Sequence, residues 1–462
     1  MRSSSHLNAP SRRRFLKGAG LATAAAAAFT IVPRHVLGGP GQKAPSEKLN
    51  IAGIGIGGMG AGNLTNLEGE NIVALCDVNQ SQAQPVFDRY KQARPYRDFR
   101  EMLEQEKDLD AVLVATPDHT HAVAAMACMK KGLHVYVQKP LAHSFHEVRT
   151  LTEAARQYKV QTQMGNQGNS GEGTRLLYEW VRAGAIGHVR EIHVWASSWC
   201  VGGRGTSDVV YNPRDLPTDQ PPVPADLNWD LWLGPTALRP YHPVYLPTKW
   251  RGWRDFGSGF LGDFFCHMAD STFWALDLGA PDVIEASSTQ YHCKESHPLA
   301  SKVHFHFPAR GGREAVRMTW YDGGLLPERP AELDGNVDLA KDYGGVILVG
   351  DEGKLMAGCY GEGVRLIPES KMKAFKRPEK TLRRIPDGIG GHERDWVRAC
   401  KTGEPANSNF DHAGPLTEIA LLGVVAIQRQ TRLQWDAAKC EFTNDPEATK
   451  LLKTEYRQGW SL

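Results

Sequence analysis

A lysine held between a glutamine and a proline, Gln138-Lys139-Pro140, and an acid four residues ahead of an imidazole, Asp263 and His267, are the side chains best suited to chemistry in this sequence. The lysine follows His134-Val-Tyr-Val, a buried-strand pattern, and the proline restricts the backbone before it. An ammonium fixed there can stabilise the alkoxide that forms as hydride leaves a carbinol carbon. Asp263 and His267 share one face of a helix, and an imidazole beside a carboxylate is an orientable base near neutral pH. An ordinary surface lysine and a routine helix pair remain the alternatives at this point. Asp270 lies close by in sequence, but no further ligand cluster accompanies it and no metal is expected.

A second chemistry-bearing stretch lies upstream. Leu49 to Ile54 is apolar and β-branched, and Gly55-x-Gly57-x-x-Gly60, with Gly58 and Met59 inside it, leads into a helix. Such glycines allow a tight turn, backbone approach to a pyrophosphate and close packing of helix on strand. Ile72 to Asp77 reads as a second strand whose terminal acid is placed for ribose hydroxyls, favouring NAD over NADP because a carboxylate repels a 2′-phosphate. Asp110 to Thr116 is a further strand broken by Pro117, and His119 and His121 follow in a polar turn. Strands alternating with helices predict a doubly wound parallel sheet whose ligand crevice lies at the strand carboxyl ends.

The elements that must complete a site come later. Val160 to Gln167 reads as the last strand of that sheet, leaving Asn166 and Gln167 at a domain junction where they can orient sugar hydroxyls or close a turn. Residues 197 to 254 form a long loop dense in aromatics, including Trp199, Trp229, Trp232, Trp250 and Trp253; loops of this length are usually functional. Aromatic faces stack on pyranose rings and Arg251 can bond hydroxyls, whereas for any one tryptophan the competing reading is a core belonging to the loop itself. Period-2 runs from Val283 onward predict an antiparallel-leaning sheet. His392 opens a late helix and is a weaker site candidate. The last segment, through Tyr456 and Trp460, is expected to pack back on the body.

Length bounds the whole at two domains: 462 residues with a formal charge of +2 and 23% charged residues. That balance gives no field for nucleic acid, and the eight cysteines lack finger spacing. Arg12-Arg13-Arg14-Phe-Leu-Lys followed by an alanine-rich run looks like a twin-arginine export signal, too weakly apolar for a stable membrane span. Residues 1–45 are therefore expected to be signal and linker, 46–167 a dinucleotide-binding domain and 168–462 an α+β substrate domain. The expected compartment is periplasmic, reached folded through the twin-arginine translocase.

Gly55-x-Gly57-x-x-Gly60, Ala115-Thr116-Pro117 with His121, and Gln138-Lys139-Pro140 together resemble the glucose–fructose oxidoreductase / inositol dehydrogenase (Gfo/Idh/MocA) family over nearly everything after the export signal. The resemblance implies a Rossmann domain followed by an α+β domain with a large open mixed sheet, which walls the substrate site and often joins subunits of a homo-oligomer. It implies Lys139, Asp263 and His267 as the catalytic set. It also implies NAD, held by Gly55, Gly57, Gly58, Met59, Gly60, Asp77, Thr116, Pro117, His121, Gln138 and Lys139. A sugar, cyclitol or glycoside would meet Asn166, Trp199, Trp250, Arg251, Trp253, Asp263 and His267. The implied activity is NAD-dependent oxidation of a secondary alcohol, the alternative being redox-neutral glycoside cleavage by transient oxidation and elimination. Gln138 departs from the family's glutamate and leaves open what sets the charge on Lys139.

Overall fold

A computed structural model describes residues 47–197, 211, 215–289, 293–341 and 343–462. The expected export signal and Trp199 lie outside them. Six parallel strands build the first sheet: β1 (Asn50–Ile54), β2 (Asn71–Cys76), β3 (Arg94–Tyr96), β4 (Ala111–Val114), β5 (His134–Val137) and β6 (Thr162–Met164), in the order β3-β2-β1-β4-β5-β6. The order reverses between β1 and β4, which places a ligand crevice beyond their carboxyl ends. β1, β4 and β5 are almost wholly buried, as strands covered on both faces by helices must be. β3 is short and contains Pro95 at the sheet edge, which is why hydrophobic periodicity alone did not announce it.

The glycine turn behaves as its spacing requires. Gly55 has φ +79°, and a Cβ there would lie 2.6 Å from the Thr116 nitrogen. At Gly60 a Cβ would overlap the Gly55 carbonyl oxygen, so the helix Met59–Thr65 can approach β1 only without a side chain there. The helix Asp118–Lys130 starts directly after Pro117, so His119 and His121 lie in its first turn and not in a loop before it.

A nine-stranded mixed sheet follows: β7 (Val189–Ala196), β8 (Val283–Ser288), β9 (Ser301–Phe307), β10 (Val316–Tyr321), β11 (Gly344–Gly350), β12 (Lys354–Gly358), β13 (Arg365–Ile367), β14 (Leu433–Asp436) and β15 (Glu441–Phe442), ordered β13-β12-β11-β7-β10-β9-β8-β14-β15. Every pairing is antiparallel except β7 with β10. On its covered face Phe265, from the helix Gly259–Met268, packs 5.9 Å from Phe305 and 6.0 Å from Trp320, centroid to centroid. The helix Phe410–Arg429 lies behind, its Gly423 leaving room for Leu261 and Phe305. That helix is long and apolar enough to cross a membrane, but 83% of its most apolar window is buried inside the protein, as in a core helix. Asn409 caps it, and Pro415 lies inside it, in its second turn. With Phe265 anchored in the core, the opposite flank of Gly259–Met268 is turned toward the first sheet.

Because backbone rather than a flexible side chain blocks the space at Gly60, Gly60→Ala is expected to destabilise the protein by about 1–3 kcal/mol. Urea unfolding checks this; an unshifted midpoint would show that the helix does not need so close an approach.

Candidate active site

One cavity of about 730 Å³ joins the glycine turn to the helix Gly259–Met268, within the size range of small-molecule sites. Gly55, Gly57, Gly58, Met59, Asp77, Thr116, Pro117, Gln138 and Lys139 line it, together with Trp250, Arg251, Asp263 and His267. The lysine and the imidazole, far apart in sequence, therefore face the same space. Lys139 reaches it from the turn after β5, where its peptide bond to Pro140 is cis.

Asp263 is the electrostatic centre. Its Oδ1 accepts from Lys139 Nζ, which also donates to the Asp263 carbonyl at 3.0 Å. Its Oδ2 accepts from the Tyr211 hydroxyl and faces Arg251 Nε at 3.2 Å. Burial pushes the Asp263 pKa up, but the Lys139 and Arg251 cations and the Lys139 and Tyr211 hydrogen bonds outweigh it and hold the carboxyl well below its ordinary range. Burial and the neighbouring carboxylate push the Tyr211 pKa well up, so the phenol keeps its proton and donates it.

His267 lies on the same helix face but is not steered by Asp263 as the i,i+4 spacing suggests. The carboxylate turns to the two cations, a stronger attraction than a neutral ring offers. His267 Nδ1 is buried without a hydrogen-bond partner among the described residues. Its ring stands edge-on to Tyr360, 4.9 Å between centroids. Burial first, then the Lys139 charge, holds its pKa well below the ordinary value, with Asp263 compensating only in part. The group is thus a neutral imidazole, able to accept a proton.

The polar frame behind Lys139 was not legible in sequence. Lys139 N donates to Gln138 Oε1 (3.3 Å), Gln138 Nε2 to Asn63 Oδ1 (2.8 Å), and Asn63 Nδ2 to the fully buried Glu393 (2.6 Å). Asn66 and Tyr136 also donate to Glu393. At the other end of the cavity, Asp77 accepts from Gly57 N and Asn79 N, both at 2.9 Å.

Several expected site residues are placed elsewhere. His121 is buried, with its ring nitrogens 2.9 Å from the Pro140 carbonyl and 2.8 Å from that of Thr116; it braces two strand ends and does not line the cavity. Asn166 is consumed by Asp270 (3.1 Å) and Ser408 (2.6 Å), since a fully buried amide must satisfy both its ends. Trp253 packs with Trp229, Trp232, Tyr245, Trp250 and Phe256 in a core internal to the loop; of the two predicted tryptophans Trp250 also lines the cavity, beside Arg251, whose guanidinium lies 4.3 Å from its indole centroid. His119 bonds the Phe256 and Trp232 carbonyls, and His392 bonds Ser170 and the Met164 carbonyl. Residues not singled out beforehand, Tyr211, Tyr360 and Trp460, do line the cavity.

Comparison with known proteins agrees with this fold. Residues 49–166 match an oxidoreductase family described as an NAD-binding Rossmann fold, and residues 213–309 match its C-terminal alpha/beta domain. A glycosyl hydrolase family 109 protein of Akkermansia muciniphila is 30% identical over 213 residues, 38% of this chain and 45% of the relative. An alpha-N-acetylgalactosaminidase of Shewanella oneidensis is 29% identical over 38% of this chain and 44% of its own length. The chain thus matches less than half the length of these curated relatives. Among solved structures, a Bordetella pertussis WlbA dehydrogenase in complex with NADH and UDP-GlcNAcA superposes with TM-score 0.55 at 14% identity, covering 84% of this chain and 99% of that one. A levoglucosan dehydrogenase with NADH and L-sorbose gives TM-score 0.55 at 15% identity, covering 84% and 98%. At such identities the likeness is one of fold.

A neutral His267 predicts ring nitrogen shifts that stay constant from pH 8 to pH 5, assigned by NMR against His267→Ala. A midpoint near 6.5, the unperturbed histidine value, would show that the imidazole is solvated rather than buried.

Proposed function

We propose that this chain, whose residues 49–166 and 213–309 match the NAD-binding Rossmann domain and the C-terminal alpha/beta domain of the Gfo/Idh/MocA oxidoreductases, is an NAD-dependent oxidoreductase acting on a secondary alcohol of a sugar, cyclitol or glycoside. The observation that carries the reading is the convergence of Lys139 and His267 on the cavity that begins at the glycine turn. The residues fit a dinucleotide: Gly55 lets the turn press against the Ala115–Thr116 backbone, and on the cavity side a Cβ at Gly58 would meet nothing within 4 Å, leaving open space at the turn. Gly55 to Gly60 would hold the pyrophosphate, Asp77 the ribose, and Thr116, Pro117 and Gln138 the nicotinamide half. When bound, NAD supplies the hydride acceptor.

The protein's own groups then divide the remaining work. Neutral His267 takes the hydroxyl proton, and Lys139 donates to the oxygen as negative charge develops there. Asp263 holds Lys139 in place, supplying the carboxylate partner that Gln138 does not. Trp250 and Arg251 offer a stacking face and donors of the kind a sugar ring takes. Association of copies through the nine-stranded sheet, and export by the twin-arginine route on the strength of Arg12-Arg13-Arg14 and the apolar run after it, extend the proposal.

The family 109 relatives support a second reading: redox-neutral cleavage of a glycoside, in which oxidation acidifies an adjacent ring C–H, elimination expels the aglycone and the hydride returns. Incubating the holoenzyme with aryl glycosides and no added cofactor separates the two. Many turnovers of aglycone release favour cleavage, whereas reduction of one bound nicotinamide per chain without bond breakage favours the dehydrogenase.

Under either chemistry Lys139→Ala is expected to lower kcat at least about a hundredfold, the usual loss when a donor to a developing oxyanion is removed. Steady-state kinetics on a folded variant checks it; a loss below about tenfold would remove Lys139 from the reacting atoms.

A further inference from the structure

The end of the cavity nearest β2 and β3 is closed by a residue from far downstream. Trp460 lines it beside Arg97, Asp98 and Phe99. Its ring lies 6.2 Å from that of Phe99, and the Arg100 guanidinium stands 4.7 Å from the indole centroid. Arg100 is itself fixed by Asp98, which accepts from Nε at 3.0 Å and from Nη2 at 2.6 Å.

The segment that delivers Trp460 is fastened along its length. Tyr456 donates its hydroxyl to Glu147 at 2.5 Å. Arg457 donates its backbone N–H to the Pro235 carbonyl at 2.9 Å. Its guanidinium bonds the Gly234 carbonyl (2.6 Å), the Asp230 carbonyl (2.8 Å) and Asp230 Oδ1 (2.7 Å). A guanidinium fork committed to two backbone carbonyls and a carboxylate fixes position far better than a single surface ion pair. The segment is thus a fitted strap that holds an aromatic ring at the cavity edge.

Sheet order says which part of a dinucleotide would meet that ring. β2 and β3 lie on one side of β1, whereas β4 and β5, with Lys139 at the end of β5, lie on the other. The nicotinamide belongs with Lys139 and His267, so the adenosine belongs with Asp77, Phe99 and Trp460. We propose that Trp460 binds the adenine of the cofactor and that the strap 456–462 slows its release. The proposal rests on the dinucleotide reading above. A base stacks on an aromatic face without needing specific hydrogen bonds, and the Arg100 cation against the indole fixes the ring that receives it. Slow release suits chemistry in which a hydride is removed and returned on the same bound molecule.

Stopped-flow displacement of NADH from the full chain reads the release rate. Trp460→Ala is expected to raise it at least about fivefold, the low end of what one base–aromatic stack contributes, with Trp460→Phe recovering most of the loss. Arg457→Ala, which unfastens the strap and removes a guanidinium 5.9 Å from the indole centroid while keeping the indole itself, is expected to change the rate in the same direction. Reduced nicotinamide mononucleotide, which lacks the adenosine, is expected to bind the parent and Trp460→Ala equally well. NADH release within twofold of the parent in Trp460→Ala, or equal weakening toward the mononucleotide, would overturn the adenine assignment while leaving the dinucleotide reading intact. A parent chain that binds the mononucleotide but not NADH, or neither, would overturn both.

Discussion

The buried ion pair between Lys139 and Asp263 is the contact on which the arrangement depends. Each partner would be costly alone: an uncompensated charge in a low-dielectric interior destabilises by about 3–5 kcal/mol when its counter-ion is removed. Lys139 is presented by the end of a parallel strand and Asp263 by a helix packed on the second sheet, 124 residues apart. The pair therefore registers the two sheets against each other at the point where reaction would occur. Its rigidity has a source on each side: the Gln138–Asn63–Glu393 chain behind the lysine, and the Phe265–Phe305–Trp320 cluster behind the helix.

That placement also explains the state of His267. Two cations and one carboxylate leave a net positive charge beside a ring with no partner at Nδ1. Burial first, then the Lys139 charge, keeps the imidazole unprotonated, and that same charge favours an anion on a bound oxygen. The direction of the polar chain matters too. Every link from the Lys139 backbone toward Glu393 donates in one sense, which fixes the Gln138 and Asn63 amides and lets successive bonds polarise one another.

Much of the first sheet could be read directly, because its strands are short apolar runs bounded by Gly, Pro and Asp, and its turn glycines obey a fixed spacing. Lys139, Asp77 and His267 were legible for the same reason: each sits at a strand end or on a helix whose limits are marked in the local sequence. Trp250 and Trp253 were not separable, since composition is silent on which of two tryptophans sharing one loop core also reaches the cavity. Tyr211, Glu393 and Trp460 could not be placed either. Their partners Asp263, Asn63 and Phe99 lie far off in the chain, and no periodicity links them. Asn166 illustrates the opposite error: a polar residue at a strand end invites a ligand-binding role, yet the Asp270 carboxylate beneath it had the prior claim.

The central strand of the second sheet has a bearing on how the molecule comes into being. β7 leaves the ribosome directly after the Rossmann domain, yet both its neighbours, β10 and β11, are encoded more than a hundred residues later. Until they are synthesised, Ile192, Val194 and Trp195, all buried in the finished sheet, have nothing to pair with or hide against. Pairings of such long sequence separation form slowly, and an apolar strand with two open edges is a hazard for aggregation. The nascent chain thus passes through a prolonged stage in which the strands of the first sheet are complete, while Glu393 and Trp396, which brace that sheet, and the partners of β7 are still to come, a natural station for a chaperone.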